Sequence, residues 1–443
     1  MKTIKSLYLS PVFFVCLWVI VPFLALGYIW GVFFFAGKIL VCALAALLLL
    51  DIYILFREKR GISASREVPH RLSNGDENLI RLYLENYYGL KIRMMIIDEI
   101  PFQFQKRDSK FSGKLNSREK KSLTYSLTPV ERGEYSFGSI NIYVSSPLGL
   151  AQRKFKFEED MAVAVYPSFI QMEKYELMAI SNRLTELGIK KVRRLGHSAE
   201  FEQIKEYVTG DDYRTVNWKA TARRSRIMVN TYDEEKSQQV YNVINTGRVM
   251  KMPFKGMSLL DYAINTSLVV SKIAIRKHDK AGIITFSDKI SAMLPAGSRS
   301  GQMTKILETL YRQSTDFLES DYEKLTVSIL SNISHRSLII LYTNFETLES
   351  VRRQLQFLRR LAVNHLVLVV FFENTELQSL KVKEAEKTED IYVKTIAEKF
   401  EYEKRQIVFE LNKHNIMSIL TPPESLSVNT INKYLEIKTR GML

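Results

Sequence analysis

The chain has 443 residues, a net charge of +15 and a pI near 9.4, with 46% hydrophobic residues. That length allows two domains with their own cores plus a membrane segment. The basic balance implies anionic company, and no zinc-finger spacing or RNP-like aromatic motif accompanies it. The anionic surface of a membrane is therefore favoured, and no nucleic-acid partner is expected.

Residues 1–60 read as a membrane anchor. The run 7–56 is almost uninterruptedly apolar, broken by Pro22, Gly27, Gly31, Gly37 and Lys38, with Asp51 the one acidic residue in the second span. A span needs about 20 apolar residues, so the run predicts two transmembrane helices, near 9–28 and 35–56. Tyr28, Trp30 and residues 33–35 form an aromatic belt at the outer interface. Lys2 and Lys5 precede the hairpin, and Arg57, Lys59, Arg60 and Arg66 follow it. By the positive-inside rule both ends, and all later residues, face the cytoplasm, with inner-membrane lipid as the first partner. Asp51 lies near the inner end of the second helix and is expected to snorkel to the interface. Cys16 and Cys42 are the only cysteines and both sit in this anchor. No disulfide is available to the later domains, as suits a reducing compartment.

Residues 61–168 change to a period of two. Alternating runs at 79–84, 90–94 and 137–144, punctuated by Asn74-Gly75, Pro101 and Arg132-Gly133, predict an antiparallel, Ig-like β-sandwich. The polar stretch 106–121 carries Lys106, Arg107, Lys110, Lys114, Arg118, Lys120 and Lys121. It reads either as a loop touching lipid headgroups or as a solvated hairpin loop.

Residues 169–237 form a connector, opening with a helix over 171–185 and a basic run at Lys190, Lys191, Arg193 and Arg194. It ends in a dense stretch in which Asp211, Asp212, Tyr213, Arg214, Trp218, Lys219, Arg223, Arg224 and Arg226 crowd cations around one indole. Arginine stacks on an aromatic face and grips carboxylates with its planar fork. The primary reading is an internal clamp at a domain junction, with Trp218 and Arg223 buried. The other is a docking or ligand surface. The run Gly210-Asp211-Asp212-Tyr213-Arg214-Thr215-Val216-Asn217-Trp218, followed by Thr221-Ala222-Arg223, resembles the signature of the bacterial "domain of unknown function fifty-eight" family. Arg132-Gly133-Glu134-Tyr135-Ser136-Phe137-Gly138, Pro147-Leu148-Gly149-Leu150 and Val165-Tyr166-Pro167 agree with it.

Residues 238–443 alternate between strands and helices, which predicts a doubly wound parallel sheet. Strands are expected at 240–245, 281–286, 290–294 (antiparallel), 337–343, 365–372 and 416–420. Helices are expected at 259–277, 304–317, 348–362, 391–414 and 426–438. This geometry resembles a von Willebrand factor A domain, in which an Asp-x-Ser-x-Ser run and a later Asp often bind Mg²⁺. Here Asn245 stands at the first Asp, Gly247 and Val249 at the serines, and Asn344 at the later Asp. Two amides and a valine supply neither the charge nor the full set of oxygens that Mg²⁺ requires. No metal and no cofactor is expected. Arg248 could instead take a carboxylate directly, with Glu346 as its internal neutraliser. No phosphate-binding loop is present, the six histidines show no zinc spacing, and His365 is expected to be a satisfied core residue.

The leading expectation is a non-enzymatic, membrane-anchored scaffold that binds proteins through its cytoplasmic α/β domain. The family resemblance implies MoxR-type AAA+ ATPases and other von Willebrand A proteins as partners, in complex assembly or envelope stress. The competing expectation is an enzyme acting on an anionic envelope substrate through Asp212, Arg214, Trp218 and Arg223.

Overall fold

The computed structural model describes residues 6–105, 110–180, 201–209, 211, 213–232, 237–313, 315, 317–374 and 388–442. Of the expected features, Lys2, Lys5, Lys106, Arg107, the basic run 190–194, Gly210 and Asp212 lie outside them. The chain divides into two compact units, Met1–Tyr166 and Pro167–Leu443, both mixed from helices and strands.

In the first unit the apolar run does not open directly into helix. Leu7–Leu9 is a strand, antiparallel to Ala151–Phe157, and helix Pro11–Leu26 starts immediately after it, capped by Ser10. The second helix, Gly31–Arg57, has 27 residues and a mean hydropathy of 2.8 over its most apolar window. At about 1.5 Å per residue it exceeds the bilayer's hydrocarbon thickness. Pro11–Leu26 has 16 residues and is shorter than a span requires. The expected pair of spanning helices is thus met in length by one of the two. They pack as a hairpin: Gly37 lies against Leu24, where a Cβ would meet the leucine side chain at 2.6 Å. Trp18, Phe35 and Tyr53 are exposed on its outside.

Three sheets complete the unit. The largest has the order Leu7–Leu9, Ala151–Phe157, Ile140–Ser145, Ile92–Asp98, Lys110–Leu115. Ile62–Glu67, Asn78–Asn86 and Lys120–Leu127 make the second. Asn78–Asn86 alternates strictly, burying Ile80, Leu82 and Leu84. Leu82 and Leu84 share a core with Met94, Ile96, Ile142 and Val144 of the first sheet. The third sheet departs from an all-antiparallel sandwich, because Arg71–Ser73 pairs parallel to Met161–Tyr166. Of the polar stretch expected as a loop, the described residues 110–115 and 120–121 lie in strands, and those strands, Lys110–Leu115 and Lys120–Leu127, belong to different sheets.

Two buried ionic groups organise this unit. Arg66 and Asp98, both almost fully buried, pair at 3.2 Å, and Tyr125 donates its hydroxyl to Asp98. Burial pushes the Asp98 carboxyl up, opposed by Arg66 and Tyr125. The Arg66 guanidinium also sits 5.1 Å from the Phe137 ring centroid and donates to Gly138 O at 2.5 Å, which ties down the 132–138 motif. The second group is Asp51. It does not snorkel: it is fully buried and accepts from Ser146 Oγ, Leu150 N and Ala151 N, the two amides at 2.8 Å. The 147–150 motif is the turn that presents those amides, with Gly149 at φ +73° where a side chain would be strained. Arg153 and Tyr88 cap the same helix end by donating to Leu55 O at 2.8 and 2.9 Å.

Removing the Asp51 carboxylate leaves two amides without an acceptor. Asp51→Ala is expected to lower stability by about 2–5 kcal/mol, and Asp51→Asn by less because one oxygen remains. Thermal unfolding of the full chain in nanodiscs measures both. An Asp51→Ala protein melting at the wild-type temperature contradicts the clamp.

In the second unit a six-stranded sheet has the order Ile290–Gly297, Lys280–Phe286, Gln239–Asn245, Leu338–Tyr342, Leu366–Phe372, Met417–Thr421. Only Ile290–Gly297 runs antiparallel. Helices Leu259–Arg276, Gln302–Tyr311 and Leu426–Thr439 pack on one face, with Tyr175 of helix Phe169–Ile180. Helices Tyr322–Asn332, Leu348–Asn364 and Thr388–Lys413 cover the other. Buried on both faces, the strands Leu338–Tyr342 and Leu366–Phe372 read as continuous apolar runs. His365 is buried as expected but not satisfied: among the described residues neither ring nitrogen has a partner, and burial lowers its pKa. The connector's described part is an antiparallel pair, Phe201–Glu206 with Met228–Tyr232, bridged by the short helix Trp218–Arg224.

Candidate functional site

In an open α/β sheet the strand order reverses beside the first strand, and ligands gather at the carboxyl ends there. That point lies between Gln239–Asn245 and Leu338–Tyr342. Asn245 sits in it fully buried, with every hydrogen-bonding position of its amide used. Its nitrogen donates to Thr343 Oγ1 at 3.0 Å and Tyr322 OH at 3.4 Å. Its oxygen accepts from Gly247 N at 2.8 Å and Ser320 Oγ at 2.7 Å. Burial pushes the Tyr322 hydroxyl up to about 12, so it stays a neutral donor and acceptor. Gly247 has no room for a side chain: a Cβ would stand 2.1 Å from Ser320 Oγ and 2.8 Å from Leu318 O. Val249 packs against the core. This end of the sheet is a closed polar knot with no free lone pair on Asn245 to offer a ligand.

Arg248 lies outside the knot, exposed, and pairs at 3.5 Å with Glu319. The expected neutraliser, Glu346, belongs elsewhere: its charge acts on Lys404. Asn344 is buried and bridges the two regions. Its nitrogen donates to Val249 O at 3.5 Å, and its oxygen accepts from Lys404 Nζ at 2.7 Å. Among the described residues no group of three or more His, Cys, Asp or Glu is placed to hold a metal ion.

The signature stretch forms a separate platform. Asn217 caps the helix Trp218–Arg224 by accepting from Ala220 N at 3.0 Å, and its side-chain nitrogen donates to Asn230 at 2.8 Å. Thr221 donates to Asn217 O at 2.9 Å and accepts from Met228 N at 3.0 Å, which fixes the helix to the strand beneath. Asp211 accepts from Lys205 Nζ at 2.8 Å and Val208 N at 3.0 Å, and those bonds, Lys205 first, hold its carboxyl below the usual range. With Asn217 and Thr221 turned inward, the rest of the helix faces out. Trp218 is 74% exposed and Tyr213 72%, with Lys219, Arg223 and Arg224 exposed beside them. The expected burial of Trp218 and Arg223 is therefore overturned, and so is the clamp built on it. The Arg214 side chain, like Asp212, lies outside the description.

Sequence reading passed over Lys404. It lies in Thr388–Lys413, a helix whose inward stripe is Ala397, Phe400, Lys404, Ile407 and Leu411. The spacings of three and four mark a single face, so the signal was a cation in an apolar stripe. Burial lowers its pKa to about 8, against the opposing pull of Glu346.

The architecture thus defines a mixed α/β protein of two units with an N-terminal apolar helix, consistent with membrane association. The family model described as Protein of unknown function DUF58 matches residues 203–407 of this chain. The Uncharacterized protein YeaD of Bacillus subtilis (strain 168) is 26% identical over 191 residues, 41% of this chain. The chain spans 47% of that relative's length. Among solved structures, the conserved hypothetical protein BatB from Bacteroides thetaiotaomicron aligns over 46% of this chain and 100% of its own, at 11% identity and a TM-score of 0.30. The CARDB domain of the PF1109 protein from Pyrococcus furiosus aligns over 24% of this chain and 93% of its own, at 16% identity and a TM-score of 0.18. Likenesses at these scores define neither fold nor function here.

Two substitutions test the site's physics. Trp218→Ala is expected to change stability by less than about 0.5 kcal/mol, as for other exposed positions. A loss comparable with removal of a core aromatic would restore the buried clamp. For Lys404, the folded pKa near 8 lies below the ordinary 10.5, so the unfolded chain binds the extra proton between them. Lys404's contribution to stability therefore rises with pH across that window, and its cost is fully present below about 8. Lys404→Met should raise the melting temperature at pH 7, by up to about 3 kcal/mol in stability. The difference from wild type should vanish towards pH 10.5, and a pH-independent difference contradicts the assignment.

Proposed function

We propose that this chain is a non-enzymatic scaffold, anchored in the cytoplasmic membrane by its N-terminal helical hairpin, which recruits proteins through its second unit. The carrying observation is the exposure of Trp218 on a platform whose inward residues, Asn217 and Thr221, are fully engaged. A large apolar ring held out into solvent by a rigid support, with Tyr213 and three cations beside it, is suited to docking. Aromatics and arginines carry much of the binding energy in protein interfaces, and these cations favour an acidic partner.

The hairpin's polar ends meet one β-domain, since the strand before the first helix and the turn held by Asp51 both involve residues 150–151. This supports placing both ends on one side of the bilayer, which the charge distribution assigns to the cytoplasm. We read the second unit as a von Willebrand A-like domain whose metal position has become structural. The saturated amide of Asn245 supports recognition without Mg²⁺. MoxR-type AAA+ ATPases and other von Willebrand A proteins are the partners we infer from the family resemblance.

Crosslinked capture from membranes tests this reading. Wild-type chain should retain its partners in chelator, and Trp218→Ala with Arg223→Ala should lose them while keeping its melting temperature. Titration calorimetry with Mg²⁺ and Mn²⁺ should give no saturable heat. A one-site isotherm abolished by Asn245→Ala, or capture lost on chelation, contradicts metal-free recruitment.

A further inference from the structure

A cavity of about 350 Å³ opens at the carboxyl ends of three parallel strands in the second unit. Asn344 follows one strand, Phe372 ends the next, and Leu420 belongs to the third. Helix Thr388–Lys413 closes one side with Ala397, Phe400 and Lys404, and Phe254 and Leu259 add apolar wall. Its size lies at the lower end for small-molecule sites, and an apolar lining with few polar groups is their usual character. None of the signature residues takes part.

The polar groups of the cavity are not alike. Arg405 is engaged by Glu401 at 2.6 Å, so the two largely cancel. Glu346 is exposed, and Glu373 follows the strand end. Lys404 differs because its ammonium is hydrogen-bonded to an amide oxygen, that of Asn344, and rests 5.6 Å from the Phe371 ring centroid. An amide dipole and an aromatic face compensate a desolvated ammonium less than a carboxylate does. An ammonium has three donors, and this one uses one of them on Asn344. The site therefore combines an apolar chamber with a cation that gains from an anionic oxygen.

We propose that this cavity binds a small amphipathic carboxylate, its aliphatic tail among Phe254, Leu259, Phe372 and Phe400 and its head on Lys404. The acidic rim sets a limit on the ligand: Glu346 and Glu373 disfavour di- and polyanions, so a single negative charge on an apolar body fits best. The ligand would lie against Asn344, whose side-chain nitrogen donates to Val249 O. This inference is independent of the docking role of Trp218.

The test is lysine-resolved labelling of the full chain in nanodiscs. A limiting amine-reactive ester is applied, with mass spectrometry reading each lysine, and decanoate, decanol or acetate added as probe. Decanoate at ten times its dissociation constant should slow labelling of Lys404 about tenfold, with the exposed Lys289 and Lys305 unchanged. Decanol has the same tail and partitions into the same lipid, and it should protect Lys404 far less; acetate should not protect it. Lys404 labelled at an unchanged rate in saturating decanoate overturns the proposal. Equal protection by decanol overturns its carboxylate half and leaves a general apolar cavity. Equal slowing of Lys289 and Lys305 identifies a bulk effect and also counts against the site.

Discussion

A polar group taken out of water must find its partners inside the protein, and this constraint places the important side chains of both units. Asp51 meets it with a hydroxyl and two turn amides, which explains how a carboxylate persists in an otherwise apolar helix. Asn245 meets it with four partners from three segments of chain. Asn217 meets it by capping one helix and reaching across to Asn230. Of these four, Lys404 meets it least well, bonded to an amide and resting on a ring, with the Glu346 charge also acting on it. Saturated groups of this kind hold a structure in one arrangement. The unsaturated one is where a ligand gains most.

The same reasoning separates support from surface within the signature stretch. Asn217 and Thr221 are structural because their hydrogen bonds fasten the short helix to its strand. Trp218 and its neighbouring cations follow as the outward side of that arrangement. Sequence motifs combine such support residues with the residues they display, and only the hydrogen-bond pattern tells them apart. In the 147–150 motif the support residues are Gly149, which makes the turn, and Leu150, which gives its amide to Asp51.

Much of the second unit could be read from sequence because strands buried on both faces are continuous apolar runs. Helix Tyr322–Asn332 was missed, as Thr326, Val327 and Ile329 weaken the helical signal. Yet Tyr322, Leu325, Thr326 and Ile329 are all buried at helical spacing, and Asp321 caps the start by accepting from Lys324 N. Strand Leu7–Leu9 was not legible, because three apolar residues before an apolar helix carry no period of their own. The identity of Asn245 was visible, but its saturation depends on Ser320 and Tyr322, distant in sequence. Residue type alone misplaced two side chains. A tryptophan among cations looked like a buried clamp, and a carboxylate near a helix end looked like a snorkelling one. In each case backbone partners, unreadable from composition, decided the outcome.

The central claim is that the rigidly displayed face around Trp218 meets a protein. A photoreactive amino acid in place of Trp218, activated in intact membranes, tests it most directly. The account predicts a discrete protein adduct that also forms in the presence of chelator and is lost when Arg223 and Arg224 are changed to glutamate. Crosslinking to lipid alone, or no adduct under conditions where the chain is folded and membrane-bound, would contradict it.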